Sequence, residues 1–238
     1  MEQKNYSYYR IADLTVAMRP LERTRSQAEP YRCEAVASPD IVVETNWPEL
    51  QKRQPHLSDE DCEYLASGAV FYNKMLDFDG MMLHASAVVM DGRAYLFSAP
   101  SGTGKSTHTR LWMRVFGDRV MLLNDDKPAL RRIDGQWYAY GTPWSGKHDL
   151  SVNMRAPIAG ICVLRRGETN KIEPFSGFEA IHALMEQTSR IKNGSPESAK
   201  ILTHLDVLMR EIPVWRLTCN MDPEAAILSH RVMSGENE

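Results

Sequence analysis

Residues 94–117 constrain this chain more than any other stretch. The apolar run Ala94-Tyr95-Leu96-Phe97 passes into Ser98-Ala99-Pro100-Ser101-Gly102-Thr103-Gly104-Lys105-Ser106-Thr107, and Leu111, Trp112 and Val115 follow at helical spacing up to Gly117. The pattern predicts a strand, a glycine-rich turn and a helix in immediate succession. Glycines let successive backbone N–H groups turn toward an anion, a lysine reaches the terminal phosphates of a nucleotide, and a hydroxyl meets Mg²⁺. Gly102, Gly104, Lys105 and Ser106 supply these parts, with Ser101, Thr103 and Thr107 completing the loop. The general pattern opens with glycine where this chain has Ala99. With a strand before it and a helix after it, Ser101–Thr107 is expected to bind a nucleotide or phosphate.

A second signal lies just downstream. Val120-Met121-Leu122-Leu123 is apolar throughout and ends at Asn124-Asp125-Asp126. Such a run predicts a short strand covered on both faces. The strand after a phosphate loop and its helix is where the carboxylate that holds Mg²⁺ is placed. Two adjacent acids offer a further role, because one can take the proton of an attacking hydroxyl. Spacing does not separate the roles; the working assignment is Asp125 as base and Asp126 toward Mg²⁺.

The rest of the chain supplies context. Residues 1–57 read as a small, mostly β portion, with strands over 11–18 and 34–44 and turns at Asn46-Trp47-Pro48 and Gln54-Pro55-His56. Ser58 caps a helix over about 59–76, which Gly80 closes. Asp91-Gly92 and Asp134-Gly135 each sit between apolar runs and predict tight hairpins. An apolar strand over 158–164, helices over about 178–186, 196–211 and 223–233, and a strand over 214–218 complete the pattern. Ser195-Pro196-Glu197 and Asp222-Pro223-Glu224 are helix starts, each with a capping side chain ahead of proline. Residues 58–238 are therefore expected to form one α/β domain, a mixed sheet flanked by helices.

Bulk charge excludes some partners. With 28 basic and 31 acidic residues the net charge is −3, so there is no electrostatic footprint for nucleic acid. No stretch approaches the roughly 18 apolar residues that read as a membrane span. The polar start Met1-Glu2-Gln3-Lys4-Asn5-Tyr6 is not a secretory signal, so a cytoplasmic protein without membrane partners is expected. Cys33, Cys62, Cys162 and Cys219 are scattered, which predicts reduced thiols rather than a zinc or disulfide framework.

Taken together, Ser101–Ser106, the Asp125-Asp126 pair and His84 in Leu83-His84-Ala85 resemble the HPr kinase/phosphorylase and phosphoenolpyruvate carboxykinase superfamily over about residues 80–170. The resemblance implies a P-loop kinase fold with the loop inside a mixed sheet, ATP and Mg²⁺ as cofactors, and transfer of the γ-phosphoryl group to a hydroxyl, serine or threonine of a protein or peptide. It implies Lys105 as the phosphate clamp, Ser106 as a Mg²⁺ ligand, Asp125 or Asp126 as base and His84 as a polar group beside them. Taken alone, His84 reads more simply as a core histidine. The Glu-Ile-Arg-Gly-Leu-Gly signature of true HPr kinases is absent, its region reading Pro143-Trp144-Ser145-Gly146-Lys147. The likeness is therefore to the HPr-kinase-related kinases, and HPr itself is not implied as acceptor.

Lesser candidates are Lys147 and Arg165-Arg166 as further positive charges, against plain surface cations, and Trp144 as a ring that stacks on a base or covers the site, against the simpler reading of packing. Two other functions remain open. A carboxykinase-like enzyme acting on a small anion would need more cations than Lys147 and Arg155, and a non-catalytic nucleotide-binding regulator would bind without turnover. The choice among ATP, GTP and pyrophosphate, the reversibility of transfer and assembly into a homo-oligomer are also left open.

Overall fold

Short local signals shape the first part of the chain, in a computed structural model that describes residues 6–146, 149–189 and 194–235. Strands β1 (Ser7–Ile11) and β2 (Leu14–Met18) form an antiparallel hairpin. Its turn, Ala12-Asp13, holds both residues at positive φ, 51° and 60°, as a two-residue hairpin turn demands. The single strand expected over 11–18 is thus corrected to the end of one strand, a turn and a second strand. After α1 (Glu22–Ala28), the strand expected over 34–44 shrinks to β3 (Ile41–Val43), parallel to β2. The turn expected at Asn46-Trp47-Pro48 instead starts α2 (Trp47–Arg53), because proline suits a helix's first turn. The N-terminal portion is therefore a three-stranded sheet with two short helices.

Helix α3 (Asp59–Met75) begins as its cap predicts, with Ser58 Oγ accepting from the Asp61 N–H at 3.1 Å. Its closing left-handed residue is Asp79, not Gly80. Gly80 is needed for another reason: a Cβ there would stand 2.7 Å from Arg131 Cγ and 2.8 Å from Met75 Cγ. Tyr64, Phe71, Tyr72 and Met75 of α3 share one buried cluster with Tyr9, Ile11, Val16 and Ile41, so the small sheet and α3 have a common core.

The large sheet is built from β4 (Gly80–Met82), β5 (Ala85–Met90), β6 (Arg93–Ser98), β7 (Val120–Asn124), β8 (Ala129–Ile133), β9 (Gln136–Tyr140), β10 (Arg155–Arg166), β11 (Lys171–Pro174) and β12 (Val214–Cys219). The remaining helices are α4 (Lys105–Phe116), α5 (Gly177–Met185), α6 (Pro196–Glu211) and α7 (Pro223–Ser234). Strand order is β4-β8-β9-β10-β6-β5-β7, with β12 also on β10 and β11 on β12. Both Asp-Gly turns hold positive φ at both residues, 50° and 75° at Asp91-Gly92 and 49° and 82° at Asp134-Gly135.

Alternation along β5 and β6 sends side chains to opposite faces. Val88, Met90, Tyr95 and Phe97 pack with Leu111 and Trp112 of α4 and Ala225 and Met233 of α7. Ala87, Val89, Ala94 and Leu96 pack with Leu184 of α5 and Ile201, Leu205 and Leu208 of α6. The result is a mixed sheet between helical layers, as expected. Strand β7 departs from expectation. It ends the strand order, and Met121 is 40% exposed, so it is an edge strand rather than one covered on both faces. All four cysteines are free thiols. Among the described residues no helix is long and apolar enough to cross a membrane.

Strand direction determines what meets at the sheet's edge. Strands β6, β10 and β12 are parallel; β5 is antiparallel to β6, and β7 to β5. The C-terminal ends of β6, β7, β10 and β12 therefore lie on one edge, together with the start of β5. In open α/β sheets this is the edge where ligands bind.

Candidate active site

The loop after β6 is shaped by its glycines. Gly102 and Gly104 have φ of 77° and 126°, which L side chains disfavour, while a Cβ on either would meet nothing within 4 Å. The requirement is conformational, not one of space. Ala99 is fully buried in the core cluster beneath α4, so its methyl is accommodated where the general pattern has glycine. Gly104 is the N-cap of α4 and offers no side chain to the helix's first N–H groups, which leaves them available to an anion. Lys105, 7% exposed, folds back so that Nζ donates to the Ala99 carbonyl at 2.8 Å. Burial lowers its pKa, and the charges of Asp126 and Asp125 work the other way.

The acidic pair is fixed by its neighbours. Asn124, fully buried, accepts at Oδ1 from the N–H groups of Asp126 at 3.0 Å and Lys127 at 2.8 Å. This turns the chain out of β7 at the pair. Asp125 Oδ1 accepts from Ser86 Oγ at 2.8 Å, and Ser86 in turn meets Thr109 Oγ1 of α4 at 2.9 Å. Asp126 Oδ1 lies 3.1 Å from His84 Nε2, and Lys127 Nζ pairs with its other oxygen. Burial alone would raise the Asp126 pKa, but the His84 hydrogen bond and the Lys127 charge outweigh it and bring the carboxyl to about 2.

His84 is held on both sides. Its N–H donates to the Gln187 carbonyl at 2.6 Å, its carbonyl accepts from Ser98 Oγ at 3.0 Å, and its Nδ1 lies 3.1 Å from Gln187 Oε1. Gly146 presses on the pair: a Cβ there would come within 2.8 Å of Asp126 Cβ. Its N–H donates to Tyr64 Oη of α3 at 3.0 Å.

The sheet edge thus gathers Ser101–Thr107, Lys105, Asp125, Asp126 and His84. Trp144 is a packing residue, 1% exposed and stacked 4.8 Å from Phe71. Arg155 pairs with Asp13 and lies over Tyr138, and Lys147 falls outside the described residues. Ser86, Lys127 and Gln187 escaped the sequence reading. Lys127 adjoins the pair and had a readable signal in that position; Gln187 lies 103 positions from His84, a contact no local pattern carries. Arg166, weighed in the sequence as a further positive charge for the site or a solvated one, donates from Nε to the Thr103 carbonyl at 3.0 Å and from Nη2 to that of Gly102. It holds the loop from the end of β10, at the rim of two cavities that Thr103 also lines.

Comparison with known proteins places the chain in a family. No curated protein sequence matches it. Among solved structures, the Hpr(Ser) kinase/phosphatase from Coxiella burnetii is similar at a TM-score of 0.37 and 13% identity, over 65% of this chain and 95% of that one. The family model described as SynChlorMet cassette protein ScmC matches residues 58–223, from the cap of α3 to the start of α7. The chain therefore belongs to the ScmC family of SynChlorMet cassette proteins.

Proposed function

We propose that this protein is a Mg²⁺-dependent ATP phosphotransferase of the HPr-kinase-related P-loop type, moving the γ-phosphoryl group to a serine or threonine hydroxyl of a protein or peptide. One observation carries this: the Lys105 loop and the Asp125-Asp126 pair end strands of like direction with only β5 between them, and His84 at the start of β5 bridges to the pair.

In the transfer the acceptor oxygen bonds to the γ-phosphorus and the bond from phosphorus to the β,γ-bridging oxygen breaks. The electron pair leaves with ADP, and the hydroxyl proton passes to a carboxylate. Lys105 exchanges the Ala99 carbonyl for phosphate oxygens, and the loop N–H groups hold the rest of the chain of phosphates. Asp125, oriented by Ser86, takes the proton. Magnesium needs one or two carboxylates and phosphate oxygens rather than a full protein cage. The residues fit that demand: Ser106 and Asp126 are oxygen donors, and, against its burial, the His84 hydrogen bond and the Lys127 charge hold the Asp126 carboxyl below the usual carboxylate range. Bound by Ser106 and Asp126, the ion would neutralise charge on the transferring group.

The test is paired. Lys105→Ala is expected to abolish nucleotide binding or turnover, measured by calorimetry and by label from γ-labelled ATP. Asp125→Asn is expected to bind nucleotide normally and to lose transfer by about a hundredfold or more. Asp126→Asn losing transfer while Asp125→Asn keeps it would exchange the two roles. Unimpaired transfer by both Lys105→Ala and Asp125→Asn would overturn the assignment.

A further inference from the structure

A phosphate loop has a direction. Its lysine serves the terminal phosphates, while N–H groups toward the helix serve the inner ones. A cavity of about 550 Å³ runs along Ala99–Thr103 toward Arg165 and Gln187, and two others border opposite ends of the loop. One, of about 400 Å³, lies against Thr103, Gly104, Thr107 and Leu111 and reaches Asn220 after β12. The other, of about 540 Å³, touches the loop only at Pro100 and Ser101. Its wall includes His84 and Lys127, both partners of Asp126, and its far side is α3. It therefore adjoins the end of the site where the transferred phosphoryl group would lie.

We propose that this second cavity is the acceptor site and that it takes an extended peptide segment in which an apolar residue flanks the phosphorylated hydroxyl. The proposal rests on the phosphotransferase function proposed above. The lining carries its chemistry. Leu65, 43% exposed, and Ala69, also exposed, lie four residues apart on one face of α3, and Asn73 continues that line. Met82 and the buried Trp144 add apolar surface. From Leu65 to Asn73 the line runs about 12 Å along the helix. An extended chain covers that distance in about three or four residues. A single small alcohol would leave most of the strip in water, whereas a peptide lying along it buries Leu65 and Ala69 and brings its hydroxyl beside His84 and Lys127.

The probe is a set of heptapeptides with a central serine followed by Phe, Leu, Ala or Glu, assayed with γ-labelled ATP. The Phe and Leu peptides are expected to exceed the Ala peptide in kcat/KM by about tenfold. Ala69→Trp, which fills the cavity from an exposed helix position, is expected to remove that preference and lower transfer to the Phe peptide by about tenfold. Its nucleotide affinity should match the wild type. Leu65→Glu on the same face gives a second variant, and thermal melts check the folding of both. Equal rates for all four peptides, unchanged in both variants, would overturn the acceptor site while leaving phosphotransfer in place. Nucleotide binding with no label in any peptide would overturn both.

Discussion

Arg166 ends β10 and donates to two consecutive carbonyls of the phosphate loop, Gly102 and Thr103. Holding both carbonyls on one guanidinium fixes which way these peptide groups turn and leaves the loop N–H groups to an anion. A lysine cannot reproduce this, because only a planar fork reaches both acceptors. Arg166→Gln is therefore expected to weaken nucleotide binding by about tenfold, with Arg166→Lys nearly as weak and the melting temperature of both unchanged. Calorimetric titration set beside thermal melts checks it; full affinity in Arg166→Gln would remove the positioning role. The contrast with Lys105 is instructive. Lys105 was legible because glycines surround it in a known spacing, whereas Arg166 lies 61 positions further on and acts only because β10 runs parallel beside β6.

Helices α4 and α7 meet at a buried polar contact. His108 of α4 is 3% exposed, lies 3.1 Å from Ser229 Oγ of α7, and is pushed by burial from the usual 6.5 down to about 4. The folded chain keeps the ring neutral, while the unfolded chain protonates it below 6.5. Stability from this group is thus complete above pH 6.5 and lost as pH falls from 6.5 to 4, about 2 kcal/mol of it by pH 5. Thermal melts at pH 7.5 and 5 are expected to differ by several degrees in the wild type and by less in His108→Gln; an equal difference in both would refute this.

At this scale the sequence was informative wherever a chemical cap marks an end. Helices α3 and α6 start where their serine caps predict, and α7 starts at the Asp222-Pro223 signal. It was silent where none does. The Ala12-Asp13 turn has positive φ without a glycine, and β11 takes its place as a strand through pairing with β12. The apolar run of β7 was misread because a sheet edge is defined by neighbours, and a strand's own residues do not name them.

Across the whole molecule, the small N-terminal sheet covers one face of α3, while the adjoining face of that helix borders the proposed acceptor cavity, Tyr64 and Tyr72 belonging to both. Removing residues 1–57 would expose Phe71, Tyr72 and Met75, each at most 2% accessible now. A 58–238 fragment is expected to lose cooperative melting and to bind a hydrophobic dye; a fragment that melts as the full chain does would establish 58–238 as a self-sufficient domain. The candidate site was legible in the sequence as two motifs, but their meeting was not, because it depends on β5 running between β6 and β7.

Strand β10 has a consequence at both of its ends. Its first residue, Arg155, grips Asp13 in the turn of the N-terminal hairpin, and its last, Arg166, grips the phosphate loop. Twelve residues of strand make a strut about 36 Å long, clamped along its length by β9, β6 and β12. The hairpin at one extremity and the loop at the other are moored to the same beam, so the protein carries its nucleotide loop and its N-terminal cover on a single rigid support.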